Sequence, residues 1–246
     1  PCAESAHPVV VSVAMKKLLI LAQLLLIPAL LIAEEGFTSQ FHSLEGWRLV
    51  NFEEELDPTL FEPAEISGRQ LLRVVADGSA SMIIREDPID VYETPYISWR
   101  WNLVSPLENA NLMNIFSEDT PIRILVTFRD ELENLPWWLR VWARRQLEKH
   151  GELPPTSALN YVWSTQDHGE EPFKSMWSRR IQFIVKNSGE EEIGTWQEHR
   201  VNVIEDYRRA MGTDPPAEAF IAVMSDADNT GGYAEAWVEY VRAYAE

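Results

Sequence analysis

Short runs of alternating apolar and polar residues, set apart by clusters of Gly, Pro, Asn, Asp and Ser, recur along most of this chain. About ten such runs fall at residues 46–51, 71–76, 81–85, 96–102, 122–128, 159–163, 179–186, 194–203, 220–225 and 234–243. Successive side chains of a strand point to opposite faces, so a period of two marks a half-buried strand. In the segment YISWRWN, Ile97, Trp99 and Trp101 share one face while Ser98 and Arg100 take the other. Ile122, Ile124, Val126 and Phe128 line up in the same way. With little helical pattern between the runs, a βαβ arrangement is disfavoured and an antiparallel sandwich or barrel is expected.

Two stretches have helical character. Residues 203–211 (VIEDYRRAM) stop at Gly212, with Pro215 and Pro216 beyond. Residues 135–150 (LPWWLRVWARRQLEKH) carry Pro136 in the first turn and stop at Gly151. Leu135, Trp138, Leu139 and Trp142 fall at helical spacing, and Trp137 and Val141 widen the stripe. Arg140, Arg144, Arg145 and Lys149 face a lone Glu148, which makes the segment basic in an acidic protein. An amphipathic helix of Trp and Arg lies on an anionic membrane surface, closes over the sandwich as a lid, or packs on a sheet with its arginines paired to Asp130, Glu131 and Glu133. Peripheral membrane contact through Trp137, Trp138, Trp142, Arg144 and Arg145 is one of these expectations.

The N-terminal region addresses the chain. Met15-Lys16-Lys17, an apolar stretch and small Ala33 make a secretory signal peptide over residues 15–33. The apolar run falls short of the roughly 20 residues of a spanning helix and contains Pro28. Leu31 weakens the cleavage site, so retention as an N-terminal anchor is the alternative. Residues 1–14 read as a mis-started extension and hold Cys2, the single cysteine. The exported part, residues 34–246, is expected to be one domain, periplasmic or secreted, stabilised by its core rather than by disulfides. A net charge of −18 and no basic stripe argue against a nucleic-acid partner.

The order of certain segments is specific. SWRWN at 98–102, EDTPIR at 118–123, YVW at 161–163, GTWQEHRVNVIEDYRRAMG at 194–212 and AVMSDADNTG at 222–231 occur in that order. Together they resemble the bacterial secreted family catalogued as domain of unknown function 3047. The resemblance spans most of residues 37–243. It implies an exported, single-domain, β-rich protein like jelly-roll or galactose-binding-like sandwiches, and it supplies no catalytic residue. The expected fold is therefore mainly β, an antiparallel β-sandwich of jelly-roll type with one inserted amphipathic helix and one short helix.

The segment 220–240 carries the best candidate site. Its two alternating runs flank Asp226, Asp228, Asn229 and Thr230, followed by Gly231 and Gly232. Such a loop turns a hairpin with glycines at positive φ, seats a hard cation, or hydrogen-bonds a polyhydroxylated ligand. Asp226, Asp228 and Asn229 are the candidate calcium ligands. The loop is not an EF-hand, because Trp237 stands at the twelfth position and strands flank it. Trp237, Asp119 and Arg123 complete the candidate ligand-binding set.

The 10 tryptophans suit sugar rings, whose apolar faces stack on indole while the indole N–H meets a hydroxyl. Trp99, Trp101 and Trp163 are expected in the core instead, and Arg123, Arg200 and Asp206 in buried ion pairs. Paired carboxylates occur at Glu118/Asp119 and Asp226/Asp228, but neighbours in sequence do not establish the facing pair of glycoside hydrolysis. His42, His150, His168 and His199 form no HExxH and no close pair, and nucleophile-elbow, P-loop and dinucleotide fingerprints are missing. The expected function is a non-catalytic binding module for a glycan or other polyhydroxylated ligand of the cell envelope. The alternatives are a glycan-acting hydrolase or lyase using Asp119, Asp206, Asp226 or Asp228, and an envelope or membrane-associated structural protein.

Overall fold

The computed structural model describes residues 36–52, 57–151 and 153–246. The expected extension and signal segment, residues 1–33, lie outside the described residues. Among the described residues no helix is long and apolar enough to cross a membrane.

The strands are β1 (Phe37–Ser39), β2 (Trp47–Asn51), β3 (Leu60–Ile66), β4 (Arg69–Asp77), β5 (Ala80–Arg85), β6 (Ile89–Asp90) and β7 (Tyr96–Ser105). They continue with β8 (Thr120–Phe128), β9 (Ser157–Ser164), β10 (Phe173–Lys174), β11 (Ile181–Ser188), β12 (Gln197–Asn202), β13 (Glu218–Asp226) and β14 (Tyr233–Tyr244). Helix α1 (Trp137–His150) lies between β8 and β9, and α2 (Val203–Met211) between β12 and β13. A six-stranded sheet runs β12-β7-β14-β4-β3 with β1 beside β14. An eight-stranded sheet runs β10-β11-β9-β8-β13-β5-β2 with β6 beside β13. The chain crosses repeatedly between the sheets, which makes the expected β-sandwich of jelly-roll type. Its pairs are antiparallel except β9 with β11, which run parallel. That exception follows from β10, which doubles back antiparallel on β11 and lets it enter beside β9 from the same direction.

The core lies between the sheets. Leu72, Val74, Ile97, Trp99, Trp101, Leu103, Ala236 and Val238 face Ile83, Ile122, Ile124, Val126, Phe128, Leu159, Tyr161, Trp163 and Val223. Trp99 packs on Tyr161 and Trp101 on Trp163, with ring centroids 5.3 and 6.2 Å apart, so the indoles join the two layers. Trp99, Trp101 and Trp163 are fully buried, as the alternating pattern requires. In β14 the register against β7 slips between Val238 and Tyr240. This bulge keeps Ala236, Val238, Val241 and Ala243 all inward, where strict alternation would have turned the last two to water.

The helix ends are set locally. Asn202 caps α2, its side-chain oxygen accepting from the N–H groups of Ile204 and Glu205 at 3.1 and 3.2 Å. α1 begins one residue after Pro136, which sits extended at the cap position rather than inside the first turn. Leu139 and Ala143 of α1 form a cluster of their own with Leu132, Leu135 and Leu153, apart from the main core. Arg140 donates to the main-chain carbonyls of Glu133 and Leu135, so its partners are backbone rather than the carboxylates anticipated for it.

Candidate functional site

Every residue of β8 and of β9 is buried. In a two-layer sandwich the outer face of a sheet ordinarily meets water, so the outward residues here need a cover. Register puts Arg123, Leu125 and Thr127 of β8 opposite Val162, Asn160 and Ala158 of β9, all on the outer face. Three segments overlie them. Leu112, from the β7–β8 connection, packs on Val162 and Phe183. α1 approaches with Trp138, Leu139 and Trp142, and the 175–180 turn with Ser175, Trp177 and Ser178. The cover is incomplete, and it leaves a trough of about 980 Å³ over the outer face of the eight-stranded sheet. Ligand pockets for drug-sized molecules span roughly 300–1,000 Å³, so this one is large enough to take a ligand of several rings or a long chain.

At one end of the trough the β13–β14 loop begins. Asp226 is buried and accepts from the Thr120 N–H at 2.7 Å and the Thr120 hydroxyl at 2.9 Å. Its other oxygen is ion-paired with Arg123, which is also buried. Burial raises the Asp226 carboxyl to about 6 against the opposing pull of the Arg123 guanidinium, with the neighbouring Asp119 charge adding to the rise. Asp119 stands behind the loop. Its oxygens accept from the N–H of Thr230 at 2.7 Å, the Thr230 hydroxyl at 2.6 Å, and the N–H and side-chain amide of Asn229 at 3.3 and 3.0 Å. Gly231 takes the positive φ that the turn demands. Gly232 lies so near Leu107 that an added Cβ would fall 3.0 Å from its side chain. β13 and β14 belong to different sheets and do not pair, so residues 226–232 bridge the two layers instead of turning the expected hairpin. The bonds to Asp119 with the glycine geometry account for Asn229, Thr230, Gly231 and Gly232 in structural terms.

The same carboxylates bear on the calcium reading. Oxygens of Asp119, Asp226 and Asp228 come within 4.8 Å of one another, whereas calcium takes six to eight oxygens. Here Arg123 already places positive charge against Asp226, and Asp119 spends its oxygens on the loop. Asn229 turns its NH₂ group, not its carbonyl, toward the Asp119 and Asp228 carboxylates. A cation among them would compete with Arg123 for Asp226 and with the loop N–H groups for Asp119.

Of the residues singled out by sequence, Arg123, Asp226, Asp228 and Asn229 line the trough together. Asp119 holds the loop from behind through Thr230 and Asn229. Trp237 does not join them: β14 belongs to the six-stranded sheet, and the burial of Ala236 and Val238 in the core turns Trp237 to that sheet's outer side. The expected ion pairing of Arg123 is present, while Asp206 bonds the Tyr161 hydroxyl and pairs with Arg209. Arg200 is exposed and stacks over the Tyr96 ring instead of entering a buried pair. Glu118 clamps the 175–180 turn, accepting from the Ser175 hydroxyl at 2.8 Å and the Met176 N–H at 2.9 Å.

Sequence reasoning did not assign Thr127, Asn160, Trp177 or Arg180 to a site, yet all four line the trough. Arg123, Thr127 and Asn160 had a signal, being polar residues at outward positions in strands that otherwise read as continuously apolar. Trp177 had none, because it sits in a turn whose path depends on the Glu118 clamp. Trp138, Trp142 and Trp177 are 54%, 42% and 64% exposed at the trough, in contrast to the buried indoles of the core.

No curated protein matches the chain. Among solved structures, the family 11 carbohydrate-binding module of the cellulosomal cellulase Lic26A-Cel5E of Clostridium thermocellum is 11% identical, with 87% of this chain and 94% of that one covered at a TM-score of 0.40. The K3 cleaved adhesin domain of Lys-gingipain from Porphyromonas gingivalis is 10% identical over 86% and 99% of the two chains, TM-score 0.39. Lectin I-B4 from Griffonia simplicifolia, in its metal-free form, is 12% identical over 84% and 97%, TM-score 0.38. Likeness this distant carries neither a residue nor a ligand across. The sequence itself is more decisive: residues 45–242 match the family described as protein of unknown function DUF3047, and the chain belongs to that family.

Proposed function

We propose that this protein is an exported binding module of the cell envelope, and that it holds a glycan or other polyhydroxylated ligand in the trough. The observation that carries this reading is the arrangement of Trp138, Trp142 and Trp177, exposed around a trough that also presents Arg123, Asp226, Asn229 and Asn160. Indole faces take the apolar side of a sugar ring, and amide, carboxylate and guanidinium groups take its hydroxyls. Binding is favoured over hydrolysis because Glu118 and Asp226, two of the carboxylates in the trough, are committed to Ser175, Met176, Thr120 and Arg123. Asp206 is tied to Tyr161 and Arg209 and is not among the lining residues.

A glycan panel tests the reading, followed by titration of the best binder with intrinsic tryptophan fluorescence as readout. Trp142→Ala and Trp177→Ala should each weaken binding roughly tenfold, the scale of one lost aromatic contact, with an unchanged melting temperature. Failure of a broad panel to yield any binder would sink the proposal.

A second reading concerns the outer side of α1. Trp137 and Val141 are 77% and 46% exposed and do not line the trough. With Arg144 and Arg145 they form a surface suited to an anionic bilayer. Flotation of the exported chain with anionic liposomes should be abolished by Trp137→Ala combined with Arg144→Glu, and flotation that persists would exclude contact through this helix.

A further inference from the structure

We infer that the ligand of the trough is an amphiphile, a polar head carrying a single alkyl or acyl chain, with the chain lying on the sheet beneath α1. The inference rests on the trough being the binding site, as proposed above, and adds the chemical class of what enters it.

The floor argues for a chain. Leu125, Met82 and Met224 are neighbours across β8, β13 and β5 on the outer face, and all three line the trough. Ile181 and Ala158, paired across β11 and β9, add apolar surface to the same trough, with Asn160 and Thr127 between them and Leu125. A sugar laid over Met82, Met224 and Leu125 would bury hydroxyls against side chains that offer no partner, and each such loss costs free energy comparable to a missing hydrogen bond. Methylenes lose nothing on that surface, and methionine adapts its shape to an irregular chain. Leu139 and the indole of Trp138 supply an apolar roof, leaving Trp142 and Trp177 to the sugar. α1 is built for that position, because its own cluster with Leu132 and Leu153 holds it apart from the main core.

The polar end argues for a head group. Arg123 is 6% exposed, and its Nε, also buried, has no hydrogen-bond partner among the described residues, although the guanidinium is ion-paired with Asp226 through Nη2. A buried donor of that kind is costly unless something accepts from it. An oxygen at the junction of head and chain, glycosidic, ester or carboxyl, would fill that need. Asp228 and Asn229 at the same end would meet the rest of the head.

The test uses n-alkyl β-D-maltosides from hexyl to decyl, kept below micelle-forming concentrations, against maltose and maltotetraose. Titrations are made with the intact chain, with Met82→Glu and with Trp138→Ala. Affinity should rise about fourfold for each methylene that reaches the floor, the factor equivalent to ~0.8 kcal/mol per buried CH₂. Met82→Glu, a partly exposed position, should flatten that dependence, and Trp138→Ala should lessen it without changing the melting temperature. Chain-length dependence that both variants leave intact would overturn the inference by showing that the chain binds elsewhere. Tight binding of soluble glycans from the panel with no gain from an alkyl chain would also overturn it, while leaving the glycan reading standing. Chain-dependent binding that is equally strong with alkyl phosphocholines, in a protein that binds no glycan, would support the amphiphile and overturn the glycan reading. No binding by any probe would overturn both.

Discussion

Arg123 on β8 and Asp226 on β13, 103 positions apart in the chain, form a buried ion pair where the trough meets the β13–β14 loop. Breaking a buried pair leaves an uncompensated charge and costs about 3–5 kcal/mol, whereas neutralising both partners costs far less. Arg123→Met alone should therefore destabilise strongly. Arg123→Met with Asp226→Asn, which keeps an acceptor for Thr120, should recover at least 1 kcal/mol of that loss. Urea unfolding of the parent, the single variants Arg123→Met and Asp226→Asn, and the double variant gives the coupling, and strictly additive losses would contradict the pair.

Asp119 organises the loop by accepting from Thr230 and Asn229. Asp119→Ala should cost about 2–4 kcal/mol, since it strands main-chain N–H groups bound to a carboxylate. Hydrogen exchange should accelerate at Asn229 and Thr230 well before it does so in β8. Exchange that rises uniformly through the sandwich would show that the loop is not separately anchored.

Trp99 and Trp101 differ in one bond. Both are fully buried, but the Trp101 indole N–H donates to Asn187 at 2.8 Å, while the Trp99 indole N–H has no partner among the described residues. Phenylalanine removes similar volume at each site, so the cavity terms nearly cancel. Trp101→Phe should be more destabilising than Trp99→Phe by about 1–2 kcal/mol in denaturant unfolding. Equal losses would mean that the Asn187 bond contributes nothing net.

Much of this architecture was legible from periodicity. Each alternating run falls on a strand, and both helical segments form helices that stop at the glycines expected, Gly151 and Gly212. The strands without a clear pattern were β1, β3, β6 and β10. β1, β6 and β10 are only two or three residues long, and β3 contains Pro63, tolerated because β3 ends the order of its sheet. The site was legible in pieces. Asp226, Asp228, Asn229, Arg123 and the tryptophans of α1 were each identifiable, but their meeting over one sheet depends on register between β8, β9 and β13, which pairs residues far apart in sequence. Trp237 stood close to the loop in sequence and lies on the other sheet, because one strand that leaves a loop can carry its residues across the sandwich.

His199 sets a pH dependence. Packed against Trp99 and Trp101 and bonded to Asn187, it is lowered to about 4, chiefly by burial and then by the Lys186 charge. The unfolded chain takes up a proton near 6.5 that the folded chain refuses until about 4, so this contribution is present above 6.5 and lost as the pH falls through 4. The loss should amount to about 2–3 kcal/mol between those limits. Asp226, raised to about 6, slopes in the opposite sense over part of the window. The measurement is therefore the difference between the parent and His199→Gln, whose stability should fall less on acidification, and parallel curves would refute the assignment.

The most direct measurement is hydrogen exchange of residues 34–246 with and without the tightest ligand from the glycan and alkyl maltoside panels. Protection is predicted in residues 122–128, 158–161 and 175–181 and along α1, with little change on the six-stranded sheet. Protection confined to the outer face of that sheet, where Arg100 stacks on Trp196 and Tyr240 lies close to Glu198, with the trough unaltered, would contradict the account.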